Sequence, residues 1–122
     1  AEAARGQILG GLGQAIGEVL MEAVIYDDSG QMINGSLLDY PLPRADQMPD
    51  FDLAWRPTAS PHSLLDVKGV GELSSIGAPG PLANAIHDAL REAGVEHLDM
   101  PLGPQKLWRA IHGPDTALGD NR

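Results

Sequence analysis

The stretch KGVGELSSIGAPGPLANAIHDAL, residues 68–90, decides how this chain is read. It opens as a glycine-rich loop and becomes a helix within a dozen residues. Pro79 and Pro81 suit a first helical turn, where the absent N–H would have no partner and φ is already set. Leu82, Ile86, Ala89, Leu90 and Ala93 then recur at helical spacing, and Gly94 supplies the stop. Glu72 sits in the loop between small and apolar neighbours, a few residues before that helix begins.

Outward from this stretch, the N-terminal part carries a second helix. Ile8, Leu12, Ile16, Val19, Leu20 and Ala23 have helical spacing, so residues 6 to about 21 are expected to form an amphipathic helix. Gly6, Gly10, Gly13 and Gly17 share one stripe of it, each costing roughly 0.8–1 kcal/mol relative to alanine in a helix interior. Such a stripe calls for close packing, either by a crossing segment or by a flat cofactor. Val24–Tyr26 and Gln31–Ile33 are expected as two short strands around the turn Asp27–Gly30, and Asn34-Gly35 marks another turn. Prolines at 41, 43 and 49 make residues 39–49 an extended connection, and a further short strand is expected over 51–56. Beyond Gly94, residues 104–111 form a last short helix held by Leu107, Trp108 and Ile111. Residues 113–122 are expected to be a flexible tail. The expected fold is therefore α+β: short strands in a mixed sheet, packed by two main helices and a short C-terminal one.

Composition narrows the function. The chain has 122 residues, enough for one modest core, with 43% apolar but only 4% aromatic residues. Its 15 glycines and 10 prolines favour tight turns and close backbone approaches. A net charge of −9 without any cationic run argues against nucleic acid and anionic membrane partners, which need clustered Lys and Arg. With no cysteine, disulfides, thiolate metal sites and cysteine-held iron–sulfur clusters are excluded within this chain. No apolar run reaches the ~20 residues of a membrane span, and the beginning lacks a signal-peptide pattern, so the expected compartment is the cytoplasm. Ala1–Arg5 carries no initiator Met, so the chain is expected to be part of something longer.

Common site motifs fail one by one. Gly11-Leu12-Gly13 begins like a dinucleotide loop, but the next glycine falls at 17 and the segment precedes a strand rather than following one. Lys68 is followed by glycine, which breaks the phosphate-loop pattern. Histidines 62, 87, 97 and 112 share no metal-ligand spacing, and no protein-ligated metal is expected. His62, Ser63 and Asp66 lack the strained nucleophile turn of a hydrolase. Asp27 and Asp28 read as turn formers.

Glu72 stands apart. Gly69 and Gly71 allow a backbone to approach a ligand closely, and the amides through Ser74, Ser75, Ile76 and Gly77 could face an anion. A carboxylate in a low-polarity pocket resists ionisation, as a general base working near neutral pH must. The alternative is a surface glutamate paired with Lys68. Local chemistry leaves the two level.

The same residues resemble a known family. KGVGELSSIGAPGPLANAIHDAL (68–90) is similar to the C-terminal signature of the molybdopterin-binding large subunits of xanthine dehydrogenase, aldehyde oxidoreductase and carbon monoxide dehydrogenase. GQILGGLGQAIGEVLMEAVIYDDSGQMINGSLLDYPLP (6–43) resembles the segment preceding it, and LDMPLGPQKLWRAI (98–111) the final helix. The resemblance implies that residues 1–112 are the C-terminal part of a molybdopterin-binding domain. It implies oxidative hydroxylation of an aldehyde or N-heterocycle with water-derived oxygen, Glu72 acting as general base. It likewise implies that Gln7, Gly69 and Gly71 bind the molybdenum–molybdopterin cofactor, of which this chain holds only a partial site. [2Fe–2S] clusters and FAD are then expected on partner domains or subunits, beside the remainder of the molybdopterin-binding subunit. Two other functions compete: a non-catalytic assembly module that completes a larger subunit, and a small anion-binding domain using residues 69–80.

Overall fold

The computed structural model describes residues 2–113. Helix α1 (Glu2–Leu20) is longer than its apolar pattern suggested, because Glu2 complements the positive end of the helix and Ala3 and Ala4 are good helix formers. Its buried residues are Gly11, Ala15, Gly17 and Val19. Where α1 ends, Gly17 O accepts from both Met21 N–H (2.9 Å) and Glu22 N–H (2.7 Å). The carbonyl of Val19, left without an intrahelical partner, accepts from Leu102 N–H at 2.6 Å. Val19 and Leu102 are both fully buried, so the core is centred where the C-terminal segment crosses the end of α1.

Helix α2 (Leu73–Gly77) is a single short turn and runs almost directly into α3 (Pro79–Leu90). Ala78 joins them, its N–H donating to Ser74 O at 2.9 Å, and Pro79 takes the first position of α3, where the lost donor matters least. A 3₁₀ turn, Arg91–Ala93, closes α3, and Gly94 follows with φ +75°, the left-handed stop expected of that glycine. Helix α1 packs against both α2 and α3. Helix α4 (Pro104–His112) begins at Pro104 and ends before Gly113.

The expected mixed sheet is not formed among the described residues. Tyr26 and Met32 make one antiparallel bridge, flanked by Asp27 N–H to Gln31 O and Ile33 N–H to Ile25 O, both 2.9 Å. The ribbon at 24–33 is thus present in outline, while residues 51–56 make no strand. A lone ribbon gains little without a third strand or an apolar cover, and Val24, Ile25, Tyr26 and Ile33 are all exposed. Asn34, read from sequence as a turn residue, is instead buried: its Oδ1 accepts from Ile25 N–H (2.9 Å), and its amide donates to Ala23 O. Tyr40 donates its hydroxyl to Glu22 Oε2 at 2.8 Å, which pushes the phenol pKa up and ties the 36–43 segment to the turn just after α1. Of the tail assigned to 113–122, residues 114–122 lie outside the described residues.

Candidate functional site

The close-packing surface of α1 is real; it keeps one of the four glycines that the spacing singled out, Gly17, and adds Gly11. Gly6 and Gly10 face open space. Gly13 has only Met48 Sδ nearby, 3.9 Å from where a Cβ would sit. Gly17 is closed in by Pro43 and the Glu22 carboxylate. Gly11, outside the stripe, makes the decisive approach: a Cβ there would lie 2.9 Å from Ser74 Cβ and 3.1 Å from Ser75 N. The missing side chain lets α2 rest directly on α1, with Ser74 buried between them.

That contact places the loop that ends at Glu72. One turn before Gly11 on α1, the side chain of Gln7 reaches Gly71, whose Cβ position lies 3.8 Å from Gln7 Oε1. The Gln7 side chain on the N-terminal half of α1 therefore meets the loop at Gly71, the residue before Glu72, although the two are far apart in sequence. Gly69 is exposed, with open space on its Cβ side.

The main chain of Glu72 is well held. It occupies the N-cap position of α2 with φ −102° and ψ 0°. Its carbonyl accepts from Ile76 N–H (3.1 Å) and Ser75 Oγ (3.2 Å), and Leu73 N–H donates to Val70 O (3.4 Å). The side chain is exposed, so the dry niche expected around it is not closed by this chain's own residues. Leu73 and Ile76 beside it are 61% and 76% exposed. The pairing with Lys68 is also absent: the Lys68 ammonium donates to Thr58 Oγ1 instead. Residues 73–77, expected as an open amide-rich loop, are helical. The Ile76 and Ala78 amides are taken by Glu72 O and Ser74 O, which leaves the anion-binding alternative with fewer free donors.

The His62–Ser63–Asp66 group closes a loop. Asp66 accepts from Ser60 N–H, and Ser63 Oγ accepts from Val67 N–H at 3.4 Å. His87, a lone helix histidine in the sequence, is a structural clip between α3 and the segment after Gly94. With its proton on Nδ1 it donates to Ala83 O (2.7 Å), and Nε2 accepts from Leu98 N–H (3.0 Å). Its spacing gave no sign of this, because the partner comes from another segment. Among the described residues, no group of three His, Cys, Asp or Glu side chains could hold a metal, and no helix is long and apolar enough to cross a membrane.

A groove of about 1050 Å³ lies elsewhere, lined by Met21, Ala23, Ile25, Pro101, Lys106 and Arg109 among others. Met21 lies fourteen residues along the chain from Gln7, so at ~1.5 Å per helical residue the groove is on the order of 20 Å from the Gln7–Glu72 cluster.

Comparisons with known proteins identify the family. Residues 1–49 match the molybdopterin cofactor-binding domain. Over 108 residues the chain is 40% identical to the nicotine 6-hydroxylase large subunit of Paenarthrobacter nicotinovorans, an alignment that covers 88% of this chain and 13% of that protein. It is 33% identical over 113 residues to the carbon monoxide dehydrogenase large chain of Hydrogenophaga pseudoflava, covering 93% of this chain and 14% of that one. Quinoline 2-oxidoreductase from Pseudomonas putida 86 superposes with a TM-score of 0.85 at 39% identity, over 90% of this chain and 14% of that structure. The chain thus spans about a seventh of the length of the relatives it matches. It belongs, as a molybdopterin-binding segment, to the large-subunit family of xanthine dehydrogenase, aldehyde oxidoreductase and carbon monoxide dehydrogenase.

Proposed function

We propose that this chain forms one wall of the molybdenum cofactor pocket in a hydroxylase and supplies its general base, Glu72. The observation that carries the reading is the approach of Gln7 to Gly71, the residue before Glu72, at the N-terminal half of α1. The residues present fit part of the cofactor. A neutral carboxamide such as Gln7 both donates and accepts, as the amide-like edge of a pterin requires. Gly69, with open space on its Cβ side, leaves its backbone approachable by a flat ring. The cofactor's phosphate needs cationic or amide donors beyond these, so residues 1–112 act as part of a domain that the remainder of the subunit completes.

When bound, the molybdenum cofactor supplies the two-electron acceptor for the reaction. Glu72 accepts the proton from the water-derived oxygen as that oxygen attacks an electron-poor carbon of the substrate. Because the Glu72 carbonyl accepts two hydrogen bonds at the start of α2, its carboxylate is delivered from a rigid anchor rather than a mobile loop. The substrate class is an aldehyde or N-heterocycle. Two of the relatives are named for nitrogen heterocycles, nicotine and quinoline, which favours the second. Electrons leave through [2Fe–2S] clusters and FAD carried by partner domains or subunits, since this chain has no cysteine to hold a cluster. The working compartment is the cytoplasm.

Glu72→Gln in the complete enzyme preserves shape and removes the base. Turnover should fall by ~10²–10⁴-fold, the usual worth of general base catalysis, with molybdenum content preserved. Near-normal turnover would defeat the reading. It would favour the second one, a non-catalytic module that completes the subunit, for which the solvent exposure of Glu72 in this chain is the supporting observation.

A further inference from the structure

Glu72 stands at the N-cap of α2, where a side-chain oxygen ordinarily folds back to accept the amide two or three residues on. Here those amides belong to Ser74 and Ser75, and the Glu72 carboxylate accepts from neither. A carboxylate bonded in that way is held in its charged form and is a weaker base. Two features stand in for the missing cap. The Ser75 hydroxyl donates to the Glu72 carbonyl at 3.2 Å, beside the Ile76 amide at 3.1 Å. The Ser74–Ser75 peptide lies against Gly11, where a Cβ would sit 3.1 Å from Ser75 N and 3.6 Å from Ser74 C. Helix α1 thus occupies the space beside the Ser75 amide.

We propose that Ser75 and Gly11 are positioning residues for the base: they secure the start of α2 by other means and so keep the Glu72 carboxylate uncapped and open to substrate. The proposal rests on the reading of Glu72 as base. Neither residue touches the reacting atoms, and each acts through Glu72. Ser75 holds the Glu72 main chain by its carbonyl. Gly11 fixes the peptide from which Ser75 projects, so a shift of that peptide carries the Ser75 hydroxyl and the Ile76 amide away from the Glu72 carbonyl together.

The test is the rate at which excess substrate reduces the complete enzyme anaerobically, measured with Glu72 present and in the Glu72→Gln background. Ser75→Ala removes one hydroxyl and leaves the Gly11 contact intact. It should lower the limiting rate about tenfold with the half-saturating substrate concentration unchanged, since a misplacement of about 1 Å costs on the order of 10²-fold. Ser75→Thr, which keeps the hydroxyl, should restore the rate to within about twofold. Gly11→Ala should lose about tenfold or more, because it displaces the peptide itself. In the Glu72→Gln enzyme, Ser75→Ala and Gly11→Ala should each change the residual rate by less than about twofold, because the group they position is gone. Equal fold losses in the two backgrounds overturn the proposal, since a general loosening of the fold acts without the base. So does a wild-type rate in Ser75→Ala. A Glu72→Gln enzyme reduced at the wild-type rate removes the base reading itself, a result distinct from either.

Discussion

Gly10 and Gly11 are neighbours on α1 with opposite surroundings. A methyl group at position 10 meets nothing within 4 Å, whereas one at 11 comes within 3.1 Å of the Ser75 backbone nitrogen, which cannot swing aside as a side chain can. Gly10→Ala should therefore stabilise the chain by about 0.5–1 kcal/mol through helix propensity alone. Gly11→Ala gains the same amount but meets an overpacking cost of about 1–3 kcal/mol, which wins. Urea denaturation of the two variants should give midpoints displaced in opposite directions, and displacement of both upward would contradict the close approach of α2. The sequence displayed a run of glycines but could not rank them. Helical spacing grouped 6, 10, 13 and 17, of which only Gly17 is closely enclosed, while Gly11 is selected by a partner more than sixty positions away. The place of Glu72 in a loop just before a helix was legible in the sequence; its exposure was not, because burial is decided by what lies opposite.

At the scale of elements, the long helices could be read, while the short α2 and the sheet could not. A helix satisfies its backbone internally, so periodicity, Pro79 and Gly94 suffice to bound α3. A strand needs a neighbour, and the ribbon at 24–33 has only its own two halves. Its turn depends on charge. Asp27 accepts from Ser29 Oγ (2.6 Å) and from the amides of Gln31 and Ser29 (both 2.9 Å), which hold its carboxyl below the usual range. A lowered folded pKa means a contribution fully present above the unfolded value of about 4 and lost as pH falls through the folded value. Amide exchange at Ser29 and Gln31 should thus accelerate below about pH 4, and the acid sensitivity should vanish in Asp27→Asn. Identical exchange in both proteins across that range would contradict the assignment. His87 does comparable work between elements, bridging Ala83 and Leu98 and stacking on His97 with ring centroids 5.3 Å apart. His87→Ala should cost about 1–3 kcal/mol for two hydrogen bonds and free the Leu98 amide to exchange. Retained protection at Leu98 would show that the clip is dispensable.

As a whole, the molecule buries little. Ala15, Val19, Leu90 and Leu102 are the buried apolar side chains among the described residues, while Leu38, Leu64, Leu65, Trp55 and Ile76 face outward. A free-standing domain would bring such residues into its own core; a segment of a larger subunit leaves them for its surroundings. The proposed place in a larger subunit would also account for the missing sheet, the unclosed niche and the groove at the far end of α1. The account therefore turns on whether the carboxylate anchored on α2 takes part in the chemical step once the subunit is whole. The direct measurement is the rate at which excess substrate reduces the complete enzyme anaerobically, compared between wild type and Glu72→Gln in a rapid-mixing experiment. The account predicts a reduction rate lower by ~10²–10⁴-fold, matching the loss in turnover. Reduction at the wild-type rate would contradict it.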